Sequence, residues 1–155
     1  MGNFTVRVYG ILIDNKQRVL VSDEFIRGMY ITKFPGGGLE FGEGTRDCLK
    51  REFMEETGLT VTVTDHLYTT DFFQPSAFKK GDQIISIYYL VTCINPETLK
   101  VVTKQFDFLP EQIADPNGTA EVFRWIALKD ISAENFHLPI DKLIPAMLKE
   151  NCLIP

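Results

Sequence analysis

The stretch Thr45 to Thr57 constrains the fold of this chain more than any other segment. It is dense in charged helix formers, with Leu49 and Phe53 four residues apart on one face, and Gly58 stands where a left-handed residue ends a helix. Thr45 is placed to cap the first turn, and Asp47 complements the positive end of the helix dipole. Around this one helical segment almost everything reads as strand. Phe4 to Ile13 is β-branched and apolar and stops at the turn signal Asp14-Asn15-Lys16. Arg18 to Ser22 is then expected to return as its hairpin partner. Tyr30 to Phe34 is a short strand, followed by Pro35-Gly36-Gly37-Gly38, read as a tight turn that lets the helix approach the strand. Leu59 to Thr64, Gln83 to Thr92 and Ala120 to Leu128 complete the set, the second as a central strand buried on both faces. Near the end, Ile140, Leu143, Ile144, Met147 and Leu148 recur at helical spacing, and Pro145 requires that helix to begin just before it. Phe106 to Gly118, with Pro110, Pro116 and Asn117-Gly118, reads as a long irregular loop of the kind that carries function. The class is α/β with a mixed sheet.

At 155 residues, without a repeat, a low-complexity tract or a Pro/Gly/Ser linker, the chain is expected to form a single domain, residues 1–155. Hydrophobic and charged fractions of 45% and 24% exclude wholesale disorder. The absence of a long apolar run excludes a bilayer-spanning helix, and the first ten residues lack the pattern of a secretory signal. The net charge of −5 argues against binding duplex nucleic acid, which needs Lys and Arg to displace counterions. Cys48, Cys93 and Cys152 form no CxxC pair and fit a reducing cytoplasm, which is the expected location.

The acidity is concentrated. From Glu40 to Glu56 six acids face three bases, which accounts for −3 of the total. At 100° per residue, Glu52, Glu55 and Glu56 fall within about a 100° arc of the helix. Like charges at this spacing cost a bare helix only a few tenths of a kcal/mol per pair, so three acids alone fit a solvated face as well as a cation site. Carboxylate oxygens do suit Mg²⁺, which commonly bridges protein acids to substrate phosphates.

The context of those acids carries a resemblance. Gly37, five residues, Glu43, seven residues, Arg51-Glu52, an apolar residue, any residue, Glu55-Glu56, any residue, Gly58 and apolar Leu59 resemble the complete Nudix box. With each fixed residue near 6% of average usage, a chance match is on the order of one in a million. The flanking Lys33 to Gly38 and the Trp125 strand are similar to the family less specifically. The resemblance implies a Nudix α/β/α sandwich with a mixed, twisted sheet and the box as a loop-helix-loop. It implies hydrolysis of a nucleoside diphosphate linked to another moiety, by water attack on phosphorus. Carried over by position, Glu52, Glu55 and Glu56 would bind Mg²⁺, or Mn²⁺ in its place. Arg51 would orient the carboxylates, Glu43 would support the metal shell, and Gly37 and Gly58 would permit the loop geometry. Glu52, Arg51 and Glu43 are thus the expected catalytic group. Phe53 is bulkier than the family's common aliphatic residue, and Cys48, where a small residue is usual, reads as packing.

Outside the box, Glu121 before Trp125 matches a position that in some members binds metal or acts as a base, although a surface or strand-end glutamate is the reading favoured there. Asp107, Glu111 and Asp115 are further candidate bases. His66 and His137 are isolated and read as ordinary histidines. Phe72 and Phe73 read as core, with stacking on a nucleobase as the alternative. Pro75, 16 residues beyond Leu59, is similar to the marker of ADP-ribose-type members. The substrate is therefore expected to be a small nucleotide, ADP-ribose-like or a (d)NTP, with a homodimer among the states the family adopts. Two rivals stand beside this reading: a noncatalytic nucleotide sensor, which should carry a degraded box, and an RNA 5′-end hydrolase, which the acidic balance disfavours.

Overall fold

A computed structural model of the protein describes residues 2–150; Cys152 lies outside them. The chain divides into two compact units, one formed by residues 1–12 and 35–99 and the other by 13–34 and 100–155.

The first unit holds a four-stranded mixed sheet. Its strands are β1 (Phe4–Leu12), β4 (Gly36–Gly38), β5 (Val61–Thr69) and β6 (Gln83–Cys93), in the order β4-β1-β6-β5. β1 runs parallel to β6 and antiparallel to β4, and β5 is antiparallel to β6. The helix α1 (Thr45–Thr57) packs on this sheet through the buried Leu49 and Phe53. Gly10 of β1 makes the close packing feasible, because a Cβ there would stand 2.6 Å from the Phe53 ring. Gly58 ends the helix at φ 72°, its N–H donating to the Met54 carbonyl. The cap at the other end is Gly44 rather than Thr45, and no side chain caps it. Thr45 instead shares a 2.7 Å hydrogen bond with the Tyr89 hydroxyl, a partner 44 residues away.

Three further expectations are corrected here. The triglycine is an extended strand and not a tight turn, since Val8 pairs with Gly37 and Arg7 with Gly38. β6 is central, as its apolar run requires, but is not buried on both faces throughout: Gln83 to Ile85 are only half-buried and Thr92 is exposed. Phe72 and Phe73 do not enter the core, Phe73 being 70% exposed.

The second unit holds an antiparallel sheet of β2 (Arg18–Ile26), β3 (Met29–Lys33) and β7 (Thr119–Ala127), in the order β3-β2-β7. The expected hairpin between the first two strands is therefore absent as a ladder. β2 pairs with β3 and β7, and only the isolated bridge Ile13–Val19 closes the turn that Asp14 organises. The terminal helix α2 (Ile144–Glu150) begins one residue before Pro145, after a short 3₁₀ turn. Its buried Ile144 and Leu148 join a core that includes Leu20, Ile131 and the stacked pair Phe34–Phe136, with ring centroids 4.4 Å apart. One buried polar cluster crosses this sheet. Asp23, fully buried, takes two bonds from Arg124 at 2.6 and 3.1 Å, one from the Thr32 hydroxyl at 2.7 Å and one from the Phe106 N–H. That last bond pins the long loop to the sheet. No described helix is long and apolar enough to cross a membrane.

Candidate functional site

The acids of α1 are organised around one guanidinium. Arg51 grips Glu43 with two parallel bonds, Nε to Oε2 at 3.0 Å and Nη2 to Oε1 at 2.7 Å, the bidentate geometry that a planar fork favours. Its Nη1 donates to Glu52 Oε1 at 3.0 Å and to Glu55 Oε2 at 3.2 Å. Nη2 also donates to the Gly38 carbonyl at 3.2 Å, tying the helix to β4. Glu40 stands 3.6 Å from Nη1, and its backbone N–H donates to Glu43, so the turn before the helix is drawn into the same cluster.

Burial grades these contacts. Arg51, Glu43 and Glu52 are largely covered, whereas Glu55 and Glu40 are open to solvent, where an ion pair contributes little. The N–H donors of Arg51, and then that of Glu40, hold the Glu43 carboxyl at a pKa of about 2. The same contact with Glu43 raises Arg51 above its ordinary value, so the pair stays charged throughout the working range.

Gly37 sets the position of Glu52. A Cβ on Gly37 would stand 2.4–2.6 Å from the carboxyl carbon and both oxygens of Glu52, so only glycine leaves room for that side chain against the sheet. Glu56, half-buried, follows Glu52 by one helical turn. Cys48 is fully buried beneath this cluster, where its thiol donates to the Gly38 carbonyl. Burial, and then Glu43, push that thiol up to about 12, so it packs and does not act as a nucleophile at neutral pH.

The NUDIX domain family model matches residues 3–147. This chain belongs to the Nudix family. A Bacillus subtilis (strain 168) protein, "Uncharacterized Nudix hydrolase YvcI", is 32% identical over 88 residues, or 57% of this chain. Those residues are 52% of that protein, so the match spans about half the relative's length. Among solved structures, a Nudix hydrolase from Nitrosomonas europaea superposes with a TM-score of 0.66 at 19% identity, over 95% of this chain and 89% of its own. The E. coli ORF135 protein superposes at 0.65 with 16% identity, over 96% and 91%. These likenesses show the α/β Nudix fold.

The Nudix box thus lies in the first unit on β4, the turn after it, α1 and Gly58. Glu121 lies on β7 of the second unit, where it accepts a hydrogen bond from the Ser22 hydroxyl. Asp107, Glu111 and Asp115 are exposed on the long loop of that unit, and Asp115 caps its own turn through the Asn117 N–H. His66 and His137 each have a partner of their own, the Thr69 hydroxyl three residues on and the Thr32 N–H, which donates to His137 Nδ1 from 105 residues away. Sequence reasoning missed Glu40 and the Gly38 carbonyl. An acid three residues before Glu43 was the available signal for the first; a backbone carbonyl leaves none.

Among the described residues no three carboxylate, imidazole or thiol groups are already gathered as a cation cluster. The donor chemistry of the Nudix helix is nonetheless that of a hard divalent ion. Glu52, Glu55 and Glu56 offer only oxygen, the cradle at Gly37 holds the first of them in place, and the other two lie within about one turn of it.

Proposed function

We propose that the chain is a pyrophosphohydrolase that cleaves a nucleoside diphosphate linked to another moiety, with Mg²⁺, or Mn²⁺ in its place, as cofactor. The observation that carries this reading is the Arg51 fork, which gathers Glu43 and Glu52 on one side of α1 while Gly37 seats the Glu52 carboxylate. Glu52, Glu55 and Glu56 would hold the cation. A divalent ion bound there supplies neutralisation of the diphosphate charge and a water of lowered pKa.

The chain's own residues do the positioning. Glu43, held ionised, fixes the plane of Arg51, and Arg51 in turn fixes Glu52 through Oε1. The second oxygen of Glu52, Oε2, makes no hydrogen bond among the described residues and faces the Gly37 backbone, which leaves it an acceptor for cation or proton. Orientation of this kind, prepared before substrate arrives, is the main protein contribution to phosphorus chemistry.

The substrate is a small nucleotide, ADP-ribose-like or a (d)NTP, and neither duplex nucleic acid nor a membrane is a partner. Residues 1–155 act as one Nudix domain, a reading supported by a family model that spans 3–147. The free thiols of Cys48 and Cys93 support a cytoplasmic location. A panel of ADP-ribose, dNTPs, dinucleoside polyphosphates and nucleotide sugars, each with Mg²⁺ and with chelator, tests the proposal. Turnover of at least one compound, abolished by chelator and restored by Mg²⁺, is expected. Binding without turnover across the panel would establish the sensor reading instead, and metal-independent hydrolysis would overturn the mechanism.

A further inference from the structure

We infer that Glu40 is a positioning residue of this site, which takes over Arg51 Nη1 when Glu55 leaves that nitrogen for the cation. The inference rests on the cation reading given above and adds a residue that is none of the fixed positions of the Nudix box.

Every N–H of the Arg51 guanidinium faces an acceptor. Nε and one Nη2 hydrogen go to Glu43, the other Nη2 hydrogen to the Gly38 carbonyl, and those of Nη1 to Glu52 and Glu55. Three acids nonetheless crowd Nη1. Glu52 Oε1 lies 3.0 Å away, Glu55 Oε2 3.2 Å and Glu40 Oε1 3.6 Å, the last an ion pair without a hydrogen bond. The bidentate grip of Glu43 fixes the plane of the fork, so Nη1 cannot turn away from this group.

The three acids are not held equally. Glu52 is largely covered and seated against Gly37, and it can keep Nη1 on Oε1 while offering its other oxygen to the ion. Glu55 is 58% exposed, and its contact joins a base to the acid four residues on, the weaker order on a helix. Glu55 therefore exchanges this contact readily for a divalent ion, a hard cation of twice the guanidinium's charge.

Its departure leaves a hydrogen of a charged and mostly covered donor without an acceptor, which is costly. Glu40 is the acceptor within reach. Its backbone is already fixed, since its N–H donates to Glu43 Oε1 at 2.9 Å and its carbonyl accepts from the Glu43 N–H. Its side chain is 68% exposed and has only to close by about 0.6 Å, from 3.6 Å to the 3.0 Å of the Glu52 bond. Nη1 thus keeps two acceptors, and the hold of Arg51 on Glu52 does not slacken as the site fills.

Calorimetric titration of Mg²⁺ alone into the full chain, with no nucleotide, reads the exchange. Glu40→Gln should weaken Mg²⁺ binding about threefold and leave the metal-free Tm unchanged. Arg51→Lys keeps the charge but lacks the second arm of the fork, so in that background Glu40→Gln should change the affinity little. An equal loss in both backgrounds would make Glu40 a through-space charge or a ligand of the ion, and overturns the exchange. Side-chain NMR of Arg51 supplies a test that needs no Arg51 variant. With Mg²⁺ bound, the Nη1 hydrogens should stay protected from solvent in the parent and exchange freely in Glu40→Gln; protection in both overturns the proposal. A parent that binds no Mg²⁺ removes the cation reading together with the exchange, whereas binding indifferent to Glu40→Gln removes the exchange alone.

Discussion

Replacing Gly37 by alanine puts a methyl carbon 2.5–2.6 Å from both oxygens of the Glu52 carboxylate. Ordinary contact begins near 3.4 Å, so the carboxylate must retreat by about 0.9 Å. Its 3.0 Å bond from Arg51 Nη1 cannot survive a shift of that size in the wrong direction. A misplacement near 1 Å in a positioned catalytic group costs about a hundredfold in turnover. Because the clash is with the end of a side chain, the fold should tolerate it. Gly36→Ala provides the contrast, since a Cβ there would lie 2.0 Å from the Val8 backbone carbonyl, which has nowhere to go. Steady-state hydrolysis with Mg²⁺, beside thermal melts of both variants, separates the two effects. Gly37→Ala should lose about a hundredfold in kcat with little change in Tm, and Gly36→Ala should lose stability first. A Gly37→Ala protein that turns over at the parental rate would refute the claim that this glycine exists to seat Glu52.

Arg124→Ala strands the buried Asp23 carboxylate and should cost about 3 kcal/mol in chemical denaturation, within the range for breaking a buried pair; a loss under about 1 kcal/mol would show that Thr32 and the Phe106 N–H suffice. Glu43 has a folded pKa depressed to about 2 from an ordinary 4.5, so its contribution to stability is full above about pH 4.5 and is lost as pH falls toward 2. Melts of the metal-free parent and Glu43→Gln should accordingly differ at pH 6 and converge near pH 2, and a constant difference across that range would contradict the assignment. The nucleotide panel with and without chelator, described above, tests the metal requirement.

How much of this was legible in the sequence depends on the range of the interactions. The bounds of α1, its buried Leu49 and Phe53 and its Gly58 terminus follow from periodicity and one glycine, because a helix is built from local bonds. Only its cap differs from the sequence reading, because the Thr45 hydroxyl bonds Tyr89, a tertiary partner that no local rule supplies. The hairpin expected from Asp14-Asn15-Lys16 failed for the same reason. β1 finds a better partner in β6, which follows it by 79 residues in register, and β2 finds one in β7. The triglycine looked like a turn because glycine in a strand is entropically costly; here the close approaches of Val8 and Glu52 demand it. The site shows the same division. Helical spacing brings Glu52, Glu55 and Glu56 to one arc, and the resemblance to the Nudix box implies that Arg51 and Glu43 join them; neither points to the Gly38 carbonyl that ties Arg51 to β4.

On the proposed mechanism the carboxylate of Glu52 serves the chemistry and not the fold. Glu52→Gln keeps the size of the side chain and its carbonyl acceptor for Arg51 while removing its charge. The decisive measurement is single-turnover hydrolysis of the best panel substrate by this variant with Mg²⁺, with a melt to show that it is folded. A loss of several orders of magnitude at an essentially unchanged Tm is expected; hydrolysis at the parental rate by the folded variant would contradict that role for Glu52.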